Sequence, residues 1–156
     1  MADSVLIGQL KQMATLTKNS NQGQFFQSKV DAAKDIKIER MEDVLTKEQI
    51  RVVKRLGIRK KECYRNAYLV AQELNCQYVE GQMLLYFGID HAFNKIGDHY
   101  FDATKEICLG EDPTETEYIS IGEWSWETVF DVISKTGQYG DIYNELYIQS
   151  LNKSTK

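Results

Sequence analysis

Cys63, His91 and Asp102 follow one another along the chain, and side chains of these types can act together as a nucleophile, a proton carrier and the carboxylate that orients it. A thiol attacks well only when its proton is drawn off, which a helix N-terminus and a nearby imidazole both favour. Cys63 lies in the first turn of ECYRNAYLVAQEL, residues 62–74. There Cys63, Ala67, Val70, Ala71 and Leu74 form one buried stripe at helical spacing, and Asn75 ends the helix. His91 and Asp102 sit in two strand-like runs, IDHAFNKI and DHYFDAT, separated by Gly97-Asp98, a pair suited to a tight hairpin turn. Pairing around that turn makes residues whose numbers sum to about 193 to 195 face one another, which brings His91 close to Asp102.

Each of these residues also has a plainer reading. A lone buried cysteine is usually a small hydrophobe, and Cys76 and Cys108 read that way. His99 reads as exposed. Cys63, His91, His99, Asp102 and Cys108 together include zinc-ligand types, but they are spread over a helix and several strands instead of coming in pairs from tight turns. Neither a metal nor another cofactor is therefore expected. The aromatic set Tyr78, Tyr86, Phe87, Phe93, Tyr100 and Phe101 reads mostly as sheet core.

Further elements must hold these residues. Residues 4–16 carry Val5, Leu6, Leu10, Met13 and Leu16 at mixed helical steps interrupted by Gly8, which suggests a loosely docked arm. Residues 17–24, TKNSNQGQ, read as a polar linker, followed by a helical FFQSKVDAAKDI. The chain thus divides into an arm and linker, 1–24, and one domain, 25–156. Thr46-Lys47-Glu48-Gln49 has capping-box form ahead of Ile50, Val53 and Leu56. CQYVEGQMLLYF reads as a further strand, and LGEDPTETE as a solvated acidic loop. SWETVFDVISKTG places Trp126, Val129, Phe130 and Ile133 on one helical face, anchored by Trp124 and Trp126, and DIYNELYIQSL gives one more helix. The expected fold class is α+β, with a helix bearing the cysteine packed on a small antiparallel sheet between an N-terminal helical segment and C-terminal helices.

Bulk composition narrows the function. A chain of 156 residues that is 42% hydrophobic and 27% charged suits one folded domain. Its net charge of -4 offers no general field for phosphate backbones, so nucleic acid is not an expected partner. The basic run RVVKRLGIRKK, residues 51–61, reads as a solvated helix face and its exit. Three cysteines without paired short spacings suit a reducing compartment, and no segment has the composition of a signal peptide or membrane span. Cytoplasmic location follows as the expectation, with no membrane partner.

Taken in order, Glu62-Cys63-Tyr64-Arg65-Asn66-Ala67, Tyr78-Val79-Glu80-Gly81, His91-Ala92-Phe93-Asn94 and Tyr100-Phe101-Asp102-Ala103-Thr104 resemble the transglutaminase-like core of the papain-type superfamily. The resemblance covers roughly residues 60–105. It implies that Cys63 is the nucleophile, His91 the general base and then acid, and Asp102 the orienting carboxylate. Tyr64, Glu80 and Asn94, which stand in the same motifs, become candidate substrate-binding residues. Phe93 and Ala103 depart from the family's tryptophan and proline, and only 27 residues separate Cys63 from His91, which suggests a shortened groove. Gln22, Gln24 and Gln49 precede the cysteine as a papain-type glutamine would, but none lies in a recognisable motif, so the second oxyanion donor stays unassigned.

The activity so implied is hydrolysis or acyl transfer at an amide, isopeptide or ester bond through a thioester, on a peptide, a protein or a small amide or ester. The alternative is a peptide- or protein-binding module on the same fold, without turnover, such as a phage or bacterial accessory protein. Recognition is expected around Tyr86 to Asp90, with the N-terminal segment as a lid.

Overall fold

The computed structural model describes residues 4–154 and is a mixed α/β protein. Helix α1 (Val5–Leu16) and helix α2 (Asn21–Ala32) lead into two very short strands, β1 (Lys34–Ile36) and β2 (Ile38–Glu39). Helices α3 (Met41–Val44), α4 (Lys47–Lys54) and α5 (Cys63–Leu74) follow, then strands β3 (Gln77–Leu84), β4 (Gly88–Ile96) and β5 (His99–Phe101). A π-helical turn at Thr104–Cys108 and a 3-10 turn at Pro113–Glu115 precede β6 (Tyr118–Trp124), α6 (Trp126–Thr136) and α7 (Ile142–Ser154).

The strands form one six-stranded sheet in the order β1-β6-β3-β4-β5-β2. Its edge strands, β1 and β2, are joined by Lys37 alone, so the sheet must curl until its edges approach each other. Ile36, Ile38, Val79, Met83, Ile89, Phe93, Tyr100 and Tyr118 pack together on the inner face, drawing on all six strands. The sheet is not purely antiparallel as expected, because β2 runs parallel to β5. A chain that leaves one edge and joins the other one residue later has no hairpin to reverse it.

Most expected elements form. The capping box at Thr46 is present, its hydroxyl accepting from Gln49 N–H and the Gln49 side chain accepting from Thr46 N–H. The β4–β5 hairpin turns at Gly97-Asp98 with a register sum of 195, pairing Lys95 with Tyr100, and Gly97 takes the left-handed backbone (φ 57°) that the turn requires.

Other expectations need correction. The N-terminal segment is not loosely docked, because Leu6 and Leu10 are buried with Ile119 and Ile121 on the outer face of β6. Each such leucine contributes roughly 2 kcal/mol at most, enough to hold α1 in place. α1 also runs through Gly8 without a break. The linker of residues 17–24 is shorter than read, since Ser20 caps α2 by accepting from Gly23 N–H and the helix begins at Asn21. At its other end α2 stops at Ala32, and Lys34–Ile36 pairs with β6 instead of continuing the helix. On α6 the buried face is Val129 and Val132, and Phe130 is exposed. Trp124 and Trp126 do pack beside Val129, Val132 and Ile142.

Candidate functional site

Cys63 opens α5, whose stripe of Ala67, Val70 and Ala71 is buried between two apolar clusters. Glu62, at the N-cap, makes no side-chain cap, so the first backbone N–H groups of α5 beside Cys63 lack a capping side-chain acceptor. Asn66, one turn on and 1% exposed, holds this start in place. Its Nδ2 donates to Arg59 O (2.7 Å) and Thr104 Oγ1 (3.0 Å), and its Oδ1 accepts from Arg59 N–H (3.1 Å). One amide thereby ties the approach to the cysteine and the segment after Asp102 to the same helical turn.

His91 lies on the inner face of β4, in the stripe that contains Ile89 and Phe93. Its side chain is 8% exposed, and its ring stacks near-parallel on Phe93 with centroids 6.3 Å apart. Nε2 is 2.7 Å from Asp102 Oδ2. Asp102 follows the last residue of β5 and is fully buried. Tyr118 Oη–H donates to Oδ2 (2.7 Å), and Lys105 N–H donates to Oδ1 (3.1 Å).

The electrostatics follow from these contacts. Burial opposes a charge on His91, but the Asp102 carboxylate and the Cys63 side chain outweigh it and hold the imidazole up at about 10. For Asp102 burial again acts upward, and His91, Tyr118 and the Lys105 amide together bring it below the usual carboxylate value. Since Nε2 is taken by Asp102, Nδ1 is the ring nitrogen left to meet the Cys63 sulfur. The other two thiols lie in different surroundings. Burial pushes Cys76 up to about 12 and raises Cys108, and neither is influenced by an imidazole.

Cys63, His91 and Asp102 are thus brought together, and His99 is exposed as read, facing Glu39 across 2.6 Å. Two of the three candidate substrate-binding residues are committed elsewhere. Glu80 is buried and accepts from Ile142 N–H and Tyr143 N–H (both 2.8 Å) and from the Tyr78 hydroxyl, which caps α7. Asn94 is buried and donates to Ala67 O (2.8 Å) and Gln77 O (3.2 Å), pinning α5 to β4. Strand alternation explains both, because positions 80 and 94 face the helices and not the inner face that holds His91. Tyr64 stays half-buried beside Cys63, its ring lying so close to Gly140 that any Cβ there would collide.

Sequence reasoning missed Tyr118, Lys105 and Asn66. Tyr118 was hidden because YISIGEW alternates between two buried faces and contains Gly122, so it gives no polar alternation. Lys105, 3% exposed, reaches Thr116 Oγ1 (2.9 Å) and lies 3.6 Å from Glu111, an arrangement without a local sequence signal. Asn66 could have been found as a polar residue on an apolar helical stripe. A cavity of about 640 Å³ is lined by Arg40, Met41, Ile50, Lys54, Glu106 and Asp112 among others and includes none of Cys63, His91 and Asp102. No helix among the described residues is long and apolar enough to cross a membrane. No protein-family model matches this chain, and neither does any curated protein or solved structure.

Proposed function

We propose that this protein is a cysteine-dependent hydrolase or acyl transferase with a transglutaminase-like core, acting on an amide, isopeptide or ester bond. The observation that carries the reading is the buried His91–Asp102 pair, 2.7 Å apart, beside a half-buried Cys63 at an uncapped helix start. His91, held by Asp102, takes the proton of the thiol as the sulfur attacks. The Cys63 sulfur attacks the carbonyl carbon, and the oxyanion that forms accepts from the free N–H groups of the first turn of α5. A donor so placed is worth on the order of 10²–10³ in rate. His91 then gives its proton to the departing amine or alcohol as the carbon–nitrogen or carbon–oxygen bond breaks, leaving a thioester. Water or an amine attacks that thioester, its proton passes to His91, and the sulfur departs. Peptides, proteins or small amides and esters are the candidate substrates.

The alternative, a binding module that keeps the triad without turnover, is favoured by the depth of His91 and by a cavity of about 640 Å³ whose lining does not include Cys63. p-Nitrophenyl acetate separates the two. The enzyme reading expects a burst of one equivalent of nitrophenol, an acetyl group on Cys63 by mass spectrometry and slow release, all lost in Cys63→Ala. No acetyl-Cys63 in folded protein contradicts it.

A further inference from the structure

Tyr118 shares an acceptor with the histidine. Its hydroxyl donates to Asp102 Oδ2 at 2.7 Å, the same oxygen that stands 2.7 Å from His91 Nε2, and its ring meets the His91 ring edge-on with centroids 6.2 Å apart. The phenol is buried, 1% exposed, and sits on β6, while His91 and Asp102 come from β4 and the end of β5. Three separate strand segments therefore converge on one carboxylate oxygen.

We propose that Tyr118 is a positioning residue for the site read above as an acyl-transfer centre: it fixes the Asp102 oxygen that receives His91 Nε2–H and tempers how tightly that carboxylate holds the imidazolium. The physics is direct. A donor to Oδ2 stabilises the carboxylate most when the imidazole is neutral, since an imidazolium already satisfies that oxygen. Removing the donor leaves the carboxylate less satisfied and makes it hold the proton on His91 more firmly. A firmer hold opposes proton delivery to the leaving group. The remaining groups around the pair are Cys63 from α5 and, from the turn after Asp102 and the loop beyond it, Lys105, Glu106, Cys108 and Glu111. A change at Tyr118 leaves them all in place.

The chain contains two histidines, so NMR titration of the ring signals isolates His91, with the exposed His99 as internal control. In Tyr118→Phe the His91 midpoint is expected to rise by about half a pH unit or more, with His99 unmoved. Site-specific 3-fluorotyrosine at position 118, a stronger donor of nearly the same shape, is expected to move it the other way and keeps the test open if the phenylalanine variant folds poorly. The alkaline limb of the p-nitrophenyl acetate burst should shift with the same sign as the midpoint. An unchanged His91 midpoint in both folded proteins overturns the proposal. The titration reads the coupling between Tyr118 and His91 whether or not Cys63 is acylated, so failure of the enzyme reading and failure of this inference are told apart.

Discussion

The curled sheet carries polar groups at both ends of its inner face, with Phe93 between them, and the two ends differ in one respect that matters. At one end His91, Asp102 and Tyr118 meet beside Cys63. At the other, Glu123 accepts from Ser120 Oγ (2.9 Å) and from the Tyr100 hydroxyl and pairs with Lys34 and Lys95, each 3.1 Å away. Burial opposes ionisation of Glu123, but these four donors overcome it and hold the carboxyl at about 2. Both ends satisfy a carboxylate withdrawn from water, fully for Asp102 and partly for Glu123. Only the first joins it to an imidazole whose second nitrogen faces a thiol at a helix start, and the proposed chemistry rests on that connection and not on withdrawn polar groups alone.

The sharpest way to break this comparison is to exchange which end matters. His91→Ala is expected to slow acetylation of Cys63 by about 10²–10⁴-fold, the usual reach of general acid–base catalysis, as read by the p-nitrophenyl acetate burst. Asn66→Ala should come next, costing about 1–3 kcal/mol in urea unfolding because it leaves the buried Thr104 hydroxyl and the Arg59 backbone groups without their partner, and slowing the burst by loosening the start of α5. Glu123→Gln is expected to cost about 1–2 kcal/mol and leave the burst unchanged. A burst that falls with Glu123→Gln and survives His91→Ala would reverse the assignment of the two ends.

Stability should also report the pairing by its pH dependence. The folded His91 value of about 10 lies above its ordinary value near 6.5, so the folded state keeps a proton that the unfolded chain has lost. That contribution is complete below about pH 6.5 and is lost as pH rises toward 10, so the melting temperature should fall across this window in the wild type and fall less in Asp102→Asn. Glu80 adds an earlier slope. Burial raises it to about 7 against three hydrogen bonds, so its protonation favours the folded state and stability declines as pH rises from about 4.5 to 7, a slope expected to flatten in Glu80→Gln. The smallest effect belongs to His99→Gln, which removes an exposed pair and should cost less than about 0.5 kcal/mol.

What was legible in the sequence follows the same division. Cys63, His91 and Asp102 were readable because a helical stripe, a two-residue turn and strand alternation each impose a short period, and together those periods fix which side chains meet. Tyr118 was not, since β6 is buried on both faces and joins β1, β3 and the helical layer without alternating. The structural bonds of Glu80 and Asn94 were not legible because chain positions near His91 say nothing of which sheet face they occupy; one residue's offset turned them toward α7 and α5. β2 escaped notice because two residues leave no period to detect, although the closure of the sheet depends on them.

The central claim is that His91 takes the proton of Cys63, and site-resolved iodoacetamide labelling as a function of pH tests it most directly in the wild type and in His91→Ala. The account expects Cys63 alone to label fast near pH 6, by about 100-fold over Cys76 and Cys108, and to lose that advantage in His91→Ala. Equal, slow labelling of all three cysteines at pH 6 in folded wild-type protein would contradict it.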